Sequence, residues 1–184
     1  MDKNHTSDPL TSSKHPTLSH LFQAESGSRS GAYRHHVKEA ARYVFCVYHG
    51  IEVSAIRETR GQLIVHSNAE HISSRSVGLP EYIQMLLAGA VAVQIIFGGE
   101  NQEMVDAMTE AERVYSLAQD QSFSNDGRFE SIVQKASRNA LLHLADPKLR
   151  AAIGIATRFP ACHRSRVSQE EMDDLKTLVT GSLM

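Results

Sequence analysis

Aromatic residues are scarce in this chain: they make up 6% of it, and tryptophan is absent. An aromatic platform of the kind that stacks on single-stranded nucleic acid is therefore not expected. A dominant charge is also missing, because 19 basic residues stand against 21 acidic ones and the net charge is −2. This balance gives no reason to expect nucleic acid or an anionic membrane as a partner.

Cysteine is equally rare. Cys46 and Cys162 are the two cysteines of the chain, too few for a disulfide framework. The N-terminal sequence is polar and has no apolar segment behind a basic start, so it does not resemble a secretory signal. We therefore expect a cytoplasmic protein in which both cysteines are plain thiols.

Long hydrophobic runs are limited to one stretch, Ile83–Phe97, which is interrupted by Gln84 and Gln94. A membrane-spanning helix needs about 20 consecutive apolar residues, and this stretch is shorter. The pattern favours a helix buried in the core of a protein that has no membrane partner.

Hydrophobic residues nevertheless make up 41% of the 184 positions, enough to build one core of ordinary size. Residues 1–30 are rich in Ser, Thr, His and Lys, which predicts a flexible N-terminal tail. We expect residues 31–184 to form a single domain.

Apolar residues recur at helical spacing over most of that domain. The predicted helices cover about residues 32–48, 79–97, 102–118, 129–144, 147–158 and a last segment behind the capping box Ser168–Glu171. Between the first two helices, Ile51–Ile56 and Gln62–His66 are typical of β-strands joined by a turn at Arg57–Gly61. The sequence thus predicts a mainly α fold (α+β) with a small antiparallel β-hairpin or sheet between the first and second helices.

Short motifs accompany this order of elements. They are Lys38-Glu39-Ala40-Ala41-Arg42 in the first helix, Arg60-Gly61 in the turn, Ala88–Gly98 in the apolar helix and Asp106-Ala107 in the next helix. Together they resemble the peptidase domain of the FtsH family of ATP-dependent zinc metalloproteases, over roughly residues 32–118. The resemblance implies a helical peptidase-like domain, which we expect to be stand-alone.

The resemblance also implies a metal site, and the chain departs from it. In the family, two histidines four residues apart bind Zn²⁺, and the glutamate after the first one activates the metal-bound water. Lys38 and Arg42 stand at the two histidine positions, and neither offers the lone pair of an imidazole. Glu39 matches the catalytic glutamate and Asp106 the third ligand, whereas Val93 replaces the family's glutamate in the apolar helix. We therefore expect no ordinary zinc site and no bound cofactor.

Two other interpretations of these residues remain open. Taken without the resemblance, His35, Lys38, Glu39 and Arg42 cluster opposite the apolar face of the helix and form a solvated charged surface. Alternatively, His35, Glu39 and Asp106 could supply a rewired zinc site for a metallopeptidase or other hydrolase. His66 or His71 could then add a further ligand.

The residues favour a non-catalytic function. We expect a degenerate peptidase, a pseudoenzyme in which Glu39 is a vestigial general base, that binds a peptide or protein partner. Metalloproteases of this architecture hold substrate as an added strand against a sheet edge. The candidate edge strand consists of Gln62, Leu63, Ile64, Val65 and His66. The family's peptidase domains form rings, so the resemblance also makes a homo-oligomer conceivable.

Overall fold

The computed structural model describes residues 30–59, 62–67, 78–98, 102–119, 128–159 and 167–184. Residues 1–29 of the predicted tail lie outside this part of the chain, as do Arg60-Gly61 of the predicted turn and His71. The described part contains six helices and two strands. It confirms the mainly helical fold with a small antiparallel sheet between the first and second helices.

The first helix, α1 (Ser30–His49), places its apolar residues at helical spacing, and they are buried from Val37 to Cys46. It ends at Gly50, whose φ of 71° is costly for any residue with a Cβ. Beyond it, the N–H of Ile51 donates to the carbonyl of Cys46 at 2.8 Å, which satisfies one of the last helical carbonyls. Glycine therefore turns the chain sharply from α1 into the sheet.

The sheet consists of β1 (Val53–Thr59) and β2 (Gln62–Ser67), paired antiparallel with Ile56 opposite Val65. The pairing is irregular between Val53 and Ala55. The hairpin is confirmed, but the first strand was predicted to end at Ile56 and instead continues to Thr59. The stretch from Arg57 to Thr59 is polar, and its pairing with β2 outweighs the weak local preference.

The apolar helix α2 (Leu79–Phe97) lies at the centre of the fold and packs against α1, α3 and α4. Pro80 and Glu81 occupy its first turn, and Gly98 closes it with a φ of 65°. All residues from Tyr82 to Val93 are buried. By length and composition α2 would be long enough to cross a membrane, and 67% of its apolar window is buried inside the described structure.

Four further helices complete the described chain: α3 (Gln102–Gln119), α4 (Arg128–Leu144), α5 (Pro147–Arg158) and α6 (Gln169–Leu183). Asp146 caps α5 by accepting from the N–H of Lys148 at 2.9 Å. Ser168 and Glu171 form the predicted capping box at the start of α6. These local signals explain why the helix ends agree closely with the sequence pattern.

The core is arranged around α1 and α2. Helices α5 and α6 pair with each other and pack on α1, where the Tyr43 hydroxyl donates to the carbonyl of Met172. Strand β2 also packs on α1. As a result, α1 packs against α2, β2 and the α5–α6 pair.

Candidate functional site

The charged residues in the middle of α1 are not on the surface. Glu39 and Arg42 are 2% and 8% exposed, whereas Lys38 and His35 are half-buried. The interpretation of this face as a solvated charged surface is therefore wrong for Glu39 and Arg42. Helical periodicity identified the strongly apolar face, but it could not show that β2 and α2 cover the opposite face as well.

Arg42 lies between two carboxylates. Its Nη1 is 3.4 Å from Oε1 of Glu39, and its Nη2 is 3.1 Å from Oε1 of Glu110 on α3. Burial by itself would lower the pKa of Arg42, but the charges of Glu39 and Glu110 offset that effect and raise it. The guanidinium is therefore permanently charged, as burial beside two carboxylates requires.

The second carboxylate oxygen of Glu39 is also occupied. Oε2 accepts a hydrogen bond from the backbone N–H of Val65 in β2 at 2.9 Å. One oxygen of Glu39 thus holds Arg42 and the other holds the sheet. A carboxylate hydrogen-bonded at both oxygens and shielded from water ties α1 to β2 and, through Arg42, to α3.

The bond from Val65 shows which way the strand groups face. In an antiparallel pair, opposite residues alternate between pairs that exchange hydrogen bonds and pairs that do not. The Val65 N–H donates to Glu39, and the carbonyl of Ile56, the residue opposite Val65, accepts from the N–H of Val167 at 3.0 Å. Val65 and Ile56 therefore form a pair that exchanges no hydrogen bonds. The main-chain groups of Val65 and Leu63 therefore face the outer edge of β2.

Gly89 of α2 lets α1 approach closely at this site. A Cβ built there would lie 2.7 Å from the carbonyl oxygen of Lys38 and 3.0 Å from Cγ of Arg42. The first of these contacts is with rigid backbone, so a larger residue would push the helices apart. Glycine in the middle of an apolar helix is thus explained by the close crossing at Lys38 and Arg42.

Asp106, predicted as the remaining metal ligand, does not join the cluster. Its side chain is exposed and accepts from Nε2 of Gln102 at 2.8 Å. The carboxylate of α3 that reaches Arg42 is Glu110, one helical turn further along. Sequence reasoning missed Glu110, because no local pattern marks an acid whose partner lies in another helix.

The remaining predicted residues are scattered. Val93 is buried in α2, His66 is exposed on β2, and of Gln62 and Leu63 the structure describes the backbone alone. Within the described ranges, no three His, Cys, Asp or Glu side chains lie close enough together to hold a metal ion.

A second ion pair joins α1 to α3 nearer to their N-terminal ends. Arg34 donates to Glu103 from Nε at 3.1 Å and from Nη2 at 3.2 Å, and its guanidinium lies 5.4 Å from the centre of the Phe97 ring. These hydrogen bonds lower the pKa of Glu103. Two arginines of α1 therefore reach two glutamates of α3, and both helices also pack on α2.

Another polar cluster lies at the opposite end of α1. The rings of His49 and His143 are 6.3 Å apart between centroids, and Nδ1 of His143 lies 3.0 Å from Nε2 of the buried Gln84. Nε2 of His49 is buried and has no hydrogen-bond partner among the described residues. Burial lowers the pKa of His49, the nearby His143 lowers it further, and Glu81 partly opposes both effects. This cluster lies two helical turns beyond Arg42, at the C-terminal end of α1.

No family model, curated protein or solved structure matches this chain.

Proposed function

We propose that this domain is a non-catalytic, peptidase-like module that binds an extended peptide or protein segment at the outer edge of β2. The observation that carries the proposal is the position of Arg42. Its guanidinium bridges Glu39 and Glu110 at the place where the FtsH-like motif would have its second zinc-binding histidine.

The chemistry of this arrangement supports a loss of catalysis. A zinc peptidase needs neutral imidazole ligands and a glutamate oxygen directed at the metal-bound water. Here the guanidinium of Arg42 supplies positive charge to the carboxylates in place of a metal ion, and it has no lone pair to coordinate one. Both oxygens of Glu39 are already hydrogen-bonded.

The geometry of β2 supports peptide binding. A peptide that adds to a sheet edge forms main-chain hydrogen bonds with alternate residues of the edge strand. On β2 those residues are Leu63 and Val65, whose N–H and C=O groups face away from β1. The side chain of Ile64 is half-buried and that of His66 is exposed, so the strand is not sealed inside the core.

Zinc content tests the first part of the proposal. We expect purified, untagged protein dialysed against trace zinc to retain less than about a tenth of an equivalent by elemental analysis. The positive control is the double variant Lys38→His/Arg42→His, which should gain zinc if these positions match the ligand positions of the family. Close to one equivalent in the wild-type protein, lost on Glu39→Ala or Asp106→Ala, would instead establish the rewired hydrolase.

Peptide titration tests the second part. The probe is a synthetic peptide with the β1 sequence Val53–Thr59, because this sequence already pairs with β2 inside the protein. In ¹⁵N-resolved NMR spectra, we expect the amides of β2 to shift and those of α5 and α6 to stay in place. The variant Leu63→Pro removes an outward N–H without removing a bond to β1, so it should lose binding yet keep the hairpin. Shifts spread over α5 and α6, or unaffected binding to Leu63→Pro, would contradict the proposed edge.

A further inference from the structure

The C-terminal ends of α1 and α4 meet through the rings of their side chains. Both helices pack on α2, and three rings of α1 contact the imidazole of His143 in the last turn of α4. The ring centre of His143 lies 6.1 Å from that of Phe45, 5.0 Å from that of Tyr48 and 6.3 Å from that of His49. One imidazole of α4 thus contacts a group of three rings on α1.

His49 is suited to this contact only while it is neutral. Its Nε2 is buried and has no hydrogen-bond partner among the residues that the structure describes. An imidazolium carries a proton on both ring nitrogens, so a charged His49 would hold an N–H at Nε2 that has no acceptor. Such a buried donor is costly, and more so when it belongs to a charged group.

Two groups that can carry charge face His49 from the helices around it, Glu81 of α2 and His143 of α4, and Tyr48 is its titratable neighbour on α1. Burial has the largest effect and lowers the pKa of His49; Glu81 opposes this, and His143 adds to it. Both histidines also lie in the last turn of a helix, where the helix dipole favours a cation. That stabilisation does not require the two helix ends to touch.

We propose that the pair His49–His143 is a pH-sensitive switch, which holds the ends of α1 and α4 together at neutral pH and releases them in mild acid. Release exposes Nε2 of His49 to water and separates two imidazolium ions that repel each other. It also uncovers the Phe45 ring, which is fully buried in this structure. This inference does not depend on the proposed peptide binding.

The hydrogen bond between His143 and Gln84 keeps the switch closed at neutral pH. Nδ1 of His143 lies 3.0 Å from Nε2 of Gln84, a residue of α2 that is 4% exposed and would lose this partner on release. Above the ordinary pKa of 6.5, the proton has no influence on the closed arrangement. Below it, each pH unit favours release by up to about tenfold, until the pH reaches the lowered pKa of closed His49.

Amide hydrogen exchange followed by NMR tests the switch in the whole chain. Protection factors are compared at pH 7.5 and pH 5.5, after correction for the intrinsic pH dependence of exchange. We expect the amides of Leu141–Leu144 to lose protection by roughly three- to tenfold at pH 5.5, because the uptake of one proton drives the release. The amides in the middle of α5 and α6 should lose less than roughly twofold, since these helices do not contact the pair.

Two variants assign the effect to the pair. His49→Phe keeps a ring beside Phe45 and Tyr48 but cannot titrate, so the protection of Leu141–Leu144 should change by less than roughly twofold between the two pH values. His143→Gln removes the second charge but keeps an amide beside Gln84, so its loss of protection should be smaller than that of the wild-type protein. Far-UV circular dichroism at both pH values establishes that each variant is folded.

Three results would overturn the switch. The first is equal protection of Leu141–Leu144 at the two pH values in the wild-type protein. The second is a loss that is as large in α5 and α6, since acid would then loosen the whole fold. The third is a loss that persists at full size in both variants, or in His143→Gln alone if His49→Phe does not fold.

Discussion

Nη2 of Arg42 lies 3.1 Å from Oε1 of Glu110, a contact between residues 68 positions apart in the sequence. Together with the bond from Arg42 to Glu39, it makes the guanidinium the link between α1 and α3. The motif positions on α1 are therefore part of the protein's interior framework.

Removal of Arg42 should be strongly destabilising. Arg42→Met leaves Glu39 buried without its charge partner, and breaking a buried pair from one side costs about 3–5 kcal/mol. Urea unfolding followed by circular dichroism measures the loss. The matched control is Arg34→Met, whose bridge to Glu103 has side chains 24% and 23% exposed and should contribute about 1 kcal/mol or less. Equal losses for the two variants would show that Arg42 does not hold a buried carboxylate.

Gly89→Ala should also destabilise the fold. The added Cβ would lie 2.7 Å from the carbonyl oxygen of Lys38, so α1 and α2 must separate, at a cost of about 1–3 kcal/mol. Gly154→Ala in α5 is the control, because a Cβ there meets no atom within 4 Å. Alanine at that position should raise the free energy of unfolding by about 0.5–1 kcal/mol, since it favours the helix. Thermal unfolding distinguishes the two signs, and a neutral Gly89→Ala would contradict the close crossing.

Stability should fall as the pH is lowered through the titration range of histidine. Burial holds the pKa of His49 below its ordinary value of 6.5, so the unfolded chain binds this proton more readily than the folded one. The stabilisation is complete above pH 6.5 and is lost as the pH drops from there toward the folded-state pKa.

Unfolding free energies at pH 7.5 and pH 5.5 measure this dependence. His49→Phe keeps a ring against Phe45 and Tyr48 but cannot titrate, so it should flatten the change between the two pH values. An unchanged pH dependence in this variant would assign the effect to other groups.

Cys46 should be chemically inert in the folded protein. The thiol is fully buried, and burial raises its pKa to about 12, with the charge of Arg42 only partly opposing this. A Cys162→Ser variant leaves Cys46 as the single thiol to be followed by mass spectrometry after iodoacetamide treatment at pH 8. We expect alkylation in urea and none under native conditions. Rapid native alkylation would indicate that α1 opens readily.

Local signals explain which parts of the fold were predictable. Local signals mark the ends of α2 and the starts of α5 and α6; they are Pro80, Gly98, Asp146, Ser168 and Glu171. Each acts through backbone geometry or through hydrogen bonds within a few residues. Helix order and the hairpin followed from such signals and from apolar periodicity.

The site was much less predictable, because its contacts join distant segments. Nothing near Glu39 in the sequence shows that its carboxylate meets the Val65 N–H or that Arg42 reaches Glu110. Asp106 was chosen from a motif, whereas the carboxylate that takes part lies one turn later, where the path of α3 across α2 brings it close. Gly89 marked the close approach, but a glycine alone does not identify the residues it faces.

The paired bridges Arg34–Glu103 and Arg42–Glu110 have a mechanical consequence. At about 1.5 Å per residue, the arginines lie about 12 Å apart along α1 and the glutamates about 10.5 Å apart along α3. Because the first arginine pairs with the first glutamate and the second with the second, the two helices run in the same direction with similar spacing. A slide of one helix past the other by a single turn would separate both pairs at once. Both bridges therefore oppose shear between α1 and α3, and they do so together.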